Sequence, residues 1–278
     1  WTPDDTLCPS PCGYHLENDT EVTYKRIGKR DARDRIAIRW LKDFLIDYNN
    51  RYDRKLVYFN IIGIDLAKLN TDCFAPQHDR NGSIYNRFFR TAIKGAKYFF
   101  PKTEYRRIII DNIYHDKGNQ EHYQYFAEHV PKYLNINDRR ISVTNPQVEF
   151  VHSDHRKVDP PRAEMVEASH FIQFIDLIMG SFICCLTDSS SDPKKMELAT
   201  LTLPLLRNML EKPLDSRNSY NYYRKQQVSF FPTDEIDHRT LMFQTGLLDK
   251  GEEIKSSSNK FYHNRRIEMR DSCQRTLF

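Results

Sequence analysis

Glycine is scarce in this chain, at 9 of 278 residues. That scarcity argues against a glycine-rich β-sandwich or a fold that cradles nucleotides in a glycine loop. The sequence has no G-x-S-x-G elbow, no phosphate-binding G-x-x-x-x-G-K-[ST] loop and no G-x-G-x-x-G fingerprint. Serine-hydrolase, nucleotide-kinase and dinucleotide-binding readings therefore lack support. Of the 6 cysteines only Cys8 and Cys12 stand close together, and no second pair completes a zinc-ligand spacing. Cys184 and Cys185 sit in an apolar run as core thiols do, and this usage fits a reducing cytoplasm. The most apolar stretch, Phe171 to Leu186, is short for a spanning helix and contains Asp176, so no membrane association is expected. No signal-peptide pattern opens the chain. It begins with Trp1 and not Met, from which a missing natural N-terminus is expected.

Charge of one sign is also in short supply. The net charge is +4 and the isoelectric point is near 8.6, a balance compatible with nucleic acid without requiring it. Basic residues do cluster locally, at Lys25, Arg26, Lys29, Arg30, Arg33 and Arg35, at Arg139 and Arg140, and at Arg265 and Arg266. A solvated charged surface is the plainer account of them.

What is present is a core-forming composition. Hydrophobic residues make up 39% and aromatics 13%, which excludes disorder of the whole chain. Residues 1–20 are rich in Pro, Asp and Cys and read as an irregular arm. From there, apolar spacing alternates between strand and helix patterns. Strands are expected over Glu21–Ile27, Leu56–Leu66, Arg106–Ile113 and Gln147–His152, with a further one over Gln227–Phe231. Helices are expected over Asp31–Tyr48, Ile84–Phe100, Glu121–Leu134, Arg162–Leu186 and Lys194–Leu210. This alternation favours an α/β fold with a mainly parallel sheet. One domain over residues 21–213 and a C-terminal extension over 214–278 follow from the loss of pattern after Pro213.

Four acids stand out. Asp111 directly follows three isoleucines, at what reads as the carboxyl end of a buried strand, where ligands gather in open α/β sheets. A turn or helix cap would use the same residue. Asp176 lies in the apolar helix FIQFIDLIMGSFICCL, where a carboxylate must be paired, hydrogen-bonded or bound to a metal. Ser169, Gln173, Asp176 and Gly180 fall at helical spacing and form one polar stripe, which could equally face solvent. Glu21 in EVTYKRI and Asp65 in IIGID complete the set, each with an ordinary strand-edge alternative. Acids converging from separate elements can hold Mg²⁺ or Mn²⁺ and serve phosphodiester hydrolysis. The cluster His152, Asp154, His155 reads as a polar loop, and His115 follows Asp111 closely enough to approach the same site.

These segments together resemble the domain-of-unknown-function family 3800, a group with a ribonuclease-H-like fold. The resemblance is carried by EVTYKRI, LVYFNIIGID, IYNRFF, YRRIIID and SHFIQFIDLIMGSF, over roughly Glu21 to Pro213. It implies a ribonuclease-H-like mixed sheet with helices on both faces. It further implies a metal-dependent nuclease site of Asp111, Asp176 and Glu21, with Asp65 as a lesser ligand, acting on RNA or DNA, with defence against mobile elements as the setting. The family's opening strand with its Asp-Glu-Ser-Gly motif has no counterpart in WTPDDTLCPSPCG, and Thr23 and Tyr24 stand where the family has Lys and Trp. The resemblance thus implies a sheet without its first strand and a site short of one ligand. The alternative is a catalytically inactive module of the same fold that binds nucleic acid or protein.

Overall fold

β-Branched and aromatic runs build short parallel strands, and the amphipathic segments between them build helices on both faces. The computed structural model describes residues 21–29, 31–48, 57–66, 69–74, 80–100, 107–118, 120–158, 162–187, 190–210 and 226–231. The expected arm over residues 1–20 and most of the extension lie outside these. β1 (Phe59–Ile64) pairs in parallel with β6 (Gln226–Phe231), so part of the expected extension is built into the domain. β2 (Ile108–Ile110) pairs with β4 (Ile141–Val143), and β3 (Ile113–Asp116) with β5 (Val148–Val151), both in parallel. The register offset is 33 residues at Ile108↔Ile141 and 35 at Ile113↔Val148. Asp111 and Asn112 on one side and Thr144–Gln147 on the other fill the interruption. The three described pairings are all parallel, as the alternation predicts. The antiparallel part that a mixed sheet requires is not among them.

α1 (Ala32–Arg39) starts at Asp31, whose side chain accepts from the Arg33 amide at 2.9 Å, and it runs on through wider π-type turns over Trp40–Tyr48. α2 (Arg80–Gly95) and α3 (Gln120–Asn137) cover one face of the β2–β5 strands. Their contact is the cluster of Ile113, Val130, Leu134, Ile141, Val143 and Val148. α4 (Ala163–Thr187) lies on the other face, where Ala168 packs with Val151, Val158, Tyr114 and Ile172. α4 also joins α5 (Pro193–Leu210), α1 and β1 in the largest cluster, around Leu41, Leu45, Phe59, Leu177, Phe182, Leu198 and Leu206. Burial of each such side chain contributes roughly 1.5–3 kcal/mol.

Several expectations need correction. Glu21–Ile27 is not a strand: it is extended and then makes one 3₁₀ turn over Tyr24–Arg26. Its amides at Val22 and Tyr24 are taken by side chains of α4, and those of Arg26 and Ile27 by carbonyls of the turn itself. The strand read as ending near Asp111 resumes at Ile113 and continues to Asp116. The apolar helix is longer than its apolar run: at 25 residues α4 is long and apolar enough to cross a membrane by length and composition, with 56% of its most apolar window buried. Cys184 and Cys185 are buried free thiols as expected, and Cys73 is disulfide-bonded.

The three-residue strand β4 is secured by a side chain. Asn135 of α3 accepts from the Val143 amide at 2.7 Å and donates to the Val143 carbonyl at 2.9 Å, as a neighbouring strand would. Asn135→Leu removes both bonds and is expected to lower stability by about 1–3 kcal/mol, because the backbone groups are left unpaired. Urea unfolding measures this, and an unchanged midpoint would show the clamp to be dispensable.

Candidate functional site

The polar stripe on α4 is buried at Ser169, Gln173 and Gly180 and half-buried at Asp176. It docks two other parts of the chain. Ser169 Oγ donates to the His152 carbonyl at 2.5 Å and to the Met165 carbonyl at 3.0 Å. Gln173, fully buried, donates through Nε2 to the Ser153 carbonyl at 2.6 Å and accepts at Oε1 from the Val22 amide at 2.8 Å. Asp176 Oδ2 accepts from the Tyr24 amide at 2.7 Å. Gly180 has no side chain because the Tyr24 ring occupies the space a Cβ would need. The stripe therefore binds the Glu21–Arg26 segment on one side and the loop leaving β5 on the other.

This docking places acids around the carboxyl ends of β3 and β5. Glu21 Oε1 accepts from Ser153 Oγ at 2.6 Å, and Oε2 lies 3.5 Å from the Arg26 guanidinium. Ser153 follows Val151, whose register partner across the ladder is Asp116. The Lys117 amide closes that end by donating to the Val151 carbonyl at 2.8 Å. Asp116 is exposed at the strand end. Burial raises the Asp176 carboxyl above its ordinary value. The Tyr24 amide opposes this, and the negative charges of Glu21 and Asp116 add to it.

Of the sequence-predicted acids, Glu21 and Asp176 are brought together. Asp111 is not their partner. It sits in the interruption between β2 and β3, five residues and roughly 16 Å of extended chain before Asp116. Its side chain meets Thr144 Oγ1 at 3.5 Å, its carbonyl accepts from the Asn145 amide at 3.0 Å, and its charge is not among those acting on Asp176. Asp65 lies just past β1, with its amide donating to the Phe231 carbonyl at 2.9 Å, and it too is absent from the charges acting on Asp176. Sequence reasoning missed Asp116. The signal for it was the turn sequence Asp116-Lys117-Gly118 after Ile113 and Tyr114, which marks the true strand end.

The histidines divide. His115 turns to the opposite face of the strands, among Tyr85, Phe89 and Phe150, with Nε2 at 2.5 Å from Tyr85 Oη and Nδ1 at 2.6 Å from the Asp116 carbonyl. Burial holds its pKa below the ordinary value. Asp154 acts as a loop residue: it caps the turn His155–Lys157 and binds Arg156 through two contacts of 2.9 and 2.8 Å. The His155 ring lies 4.5 Å from that of His170 and beside Gln173.

The negative charges of Glu21 and Asp116 thus add to burial in keeping the Asp176 carboxyl raised. Among the described residues, no group of three or more His, Cys, Asp or Glu side chains is arranged to hold a metal ion. No family model, curated protein or solved structure matches the chain.

Two outcomes follow. Gly180→Ala drives a methyl into the Tyr24 ring and is expected to cost about 1–3 kcal/mol, read by chemical unfolding. A neutral result would mean that Tyr24 is not held there. Asp154 is held at about 2, below its ordinary 3.8, mainly by its hydrogen bond with Arg156. A lowered carboxyl stabilises the fold above its ordinary value, and this contribution is lost as pH falls from about 4 toward 2. Asp154→Asn should therefore lower stability at neutral pH by roughly 1–2 kcal/mol, after allowance for the exposed Arg156, and flatten the acid limb of the stability curve. A mutant curve parallel to that of the wild type would remove Asp154 from this role.

Proposed function

We propose that this chain carries a ribonuclease-H-like, divalent-cation-dependent phosphodiesterase site acting on RNA or DNA, with Asp116, Asp176 and Glu21 as its acids. The supporting observation is that the charges of Glu21 and of Asp116, at the carboxyl end of the parallel strand β3, bear on a partly buried Asp176. The resemblance to the domain-of-unknown-function family 3800 implies Glu21, Asp111 and Asp176, and the reading here departs from it by putting Asp116 in place of Asp111. Mg²⁺ or Mn²⁺, once bound, supplies activation of water and stabilisation of the leaving oxygen. The chain's own part is positional. Ser153 and Arg26 orient Glu21, and the Tyr24 amide fixes one oxygen of Asp176.

A second reading, a non-catalytic module that binds nucleic acid or protein, draws on one specific feature. Both oxygens of Glu21 and one of Asp176 already engage protein groups. The two readings separate in one set of measurements: Mn²⁺ binding by calorimetry and cleavage of labelled RNA and DNA with added Mg²⁺. The nuclease reading expects Asp116→Asn and Asp176→Asn each to abolish ion-dependent cleavage without unfolding, while Asp111→Asn cleaves like wild type. Wild-type protein that neither binds Mn²⁺ nor cleaves either substrate rejects it. A rise in melting temperature for Asp176→Asn would then favour the binding module, since the substitution relieves buried repulsion.

A further inference from the structure

Gln173 occupies a completely buried place on α4, where an apolar side chain of equal length would carry no unmet polar group. Its amide is used at both ends. Oε1 accepts from the Val22 amide at 2.8 Å. Nε2 donates to the Ser153 carbonyl at 2.6 Å and lies 3.3 Å from His155 Nδ1. A backbone amide only donates and a carbonyl only accepts, so these partners fix which end of Gln173 is oxygen and which is nitrogen. A carboxylate at this position could not donate to Ser153. One helical turn on, Asp176 Oδ2 takes the Tyr24 amide at 2.7 Å. Val22 and Tyr24 are alternate amides of an extended segment. They span roughly 6.6 Å of chain, against roughly 4.5 Å of rise from Gln173 to Asp176. Side chains of α4 thus serve this segment as a strand edge would. Glu21 stands where the two ties of Gln173 meet. It precedes Val22, and its Oε1 accepts at 2.6 Å from the hydroxyl of the same Ser153 whose carbonyl Gln173 holds. Its Oε2 faces Arg26 at 3.5 Å, a contact that lies within the segment and so does not tie it to α4.

We propose that Gln173 is the positioning residue of the acidic site: by holding Val22 and Ser153 with the two ends of one amide, it sets where the Glu21 carboxylate stands relative to Asp176. It acts through Glu21 and is not itself one of the acids. Loss of the amide releases the segment and the loop leaving β5 together, so Glu21 loses its backbone anchor and its hydroxyl partner in one step. That this placement serves a reaction rests on the nuclease reading. The coupling between Gln173 and Glu21 does not.

The test is nuclear magnetic resonance on the full chain without added metal. In the wild type, the side-chain amide hydrogens of Gln173 and the backbone amide of Val22 are expected to open in one step, with protection factors within about threefold of each other. Gln173→Met keeps the length and removes every bond of the amide. It is expected to lower protection of the Val22 amide about tenfold or more. Protection of the Tyr24 amide should fall with it, although its partner Asp176 is untouched, while the Leu134 amide in α3 keeps its own. The carboxyl carbon resonance of Glu21 should move in the direction in which Ser153→Ala moves it. A role confined to core packing would lower protection throughout and leave that resonance in place. The proposal is overturned if the Glu21 resonance of Gln173→Met stays at its wild-type position, or if Tyr24 keeps its full protection. Should Gln173→Met not fold, the wild-type exchange decides: side-chain hydrogens of Gln173 that exchange freely while Val22 stays protected overturn it, and joint opening upholds it. The expected changes in a protein that never cleaves would uphold the positioning role and reject the nuclease reading alone.

Discussion

Gln173 is completely buried and uses both ends of its amide on backbone groups from distant parts of the chain, Val22 and Ser153. A buried amide without partners costs about 1–3 kcal/mol, so this side chain holds its surroundings to one arrangement. Through Val22 it fixes the segment that carries Glu21 and Tyr24. Through Ser153 it fixes the loop that leaves β5, and the hydroxyl of that same serine orients Glu21. One helical turn further along, Asp176 takes the Tyr24 amide. The acidic site is therefore organised by α4 from beneath, and the N-terminal segment is held to it by side chains, not by strand pairing.

The same arrangement explains why polar residues persist in so apolar a helix. Ser169, Gln173 and Asp176 each answer a backbone group that would otherwise lack a partner, and Gly180 admits an aromatic ring. Asp176 alone of these residues carries a charge. Its contact with an amide favours the ionised form, while burial and two neighbouring acids oppose it. A carboxylate held between opposing influences in this way is the kind of group found at functional sites.

Much of this was legible in the sequence. The long helices follow from apolar periodicity, and α4 and α5 begin and end within a residue or two of their expected bounds. Asp176 and Gln173 stood out because a charge or amide in an apolar helix demands a partner. What could not be read was local and short. β4 spans only Ile141–Val143 and is held by Asn135, a contact between side chain and backbone that no periodicity reveals. EVTYKRI has strand-like composition, yet its amides go to α4. Asp111 was singled out because three isoleucines end at it, and Asp116 was missed because Tyr114 and His115 hide the resumption of the strand.

The interruption at Asp111 and Asn112 has a geometric consequence of its own. Side chains along a strand alternate between faces, so Ile110 and Ile113, three positions apart, belong on opposite sides of an unbroken strand. Both pack in the same cluster beneath α2 and α3. The break thus resets the phase of the strand once, and the partner strand makes a matching reset between Val143 and Val148, which also share that cluster. Without this paired change of phase, Tyr114 and Asp116 would point toward α3, and His115 would take the place facing α4. The break in the strand, by its length and not by the carboxylate within it, thus sets which way a later aspartate points.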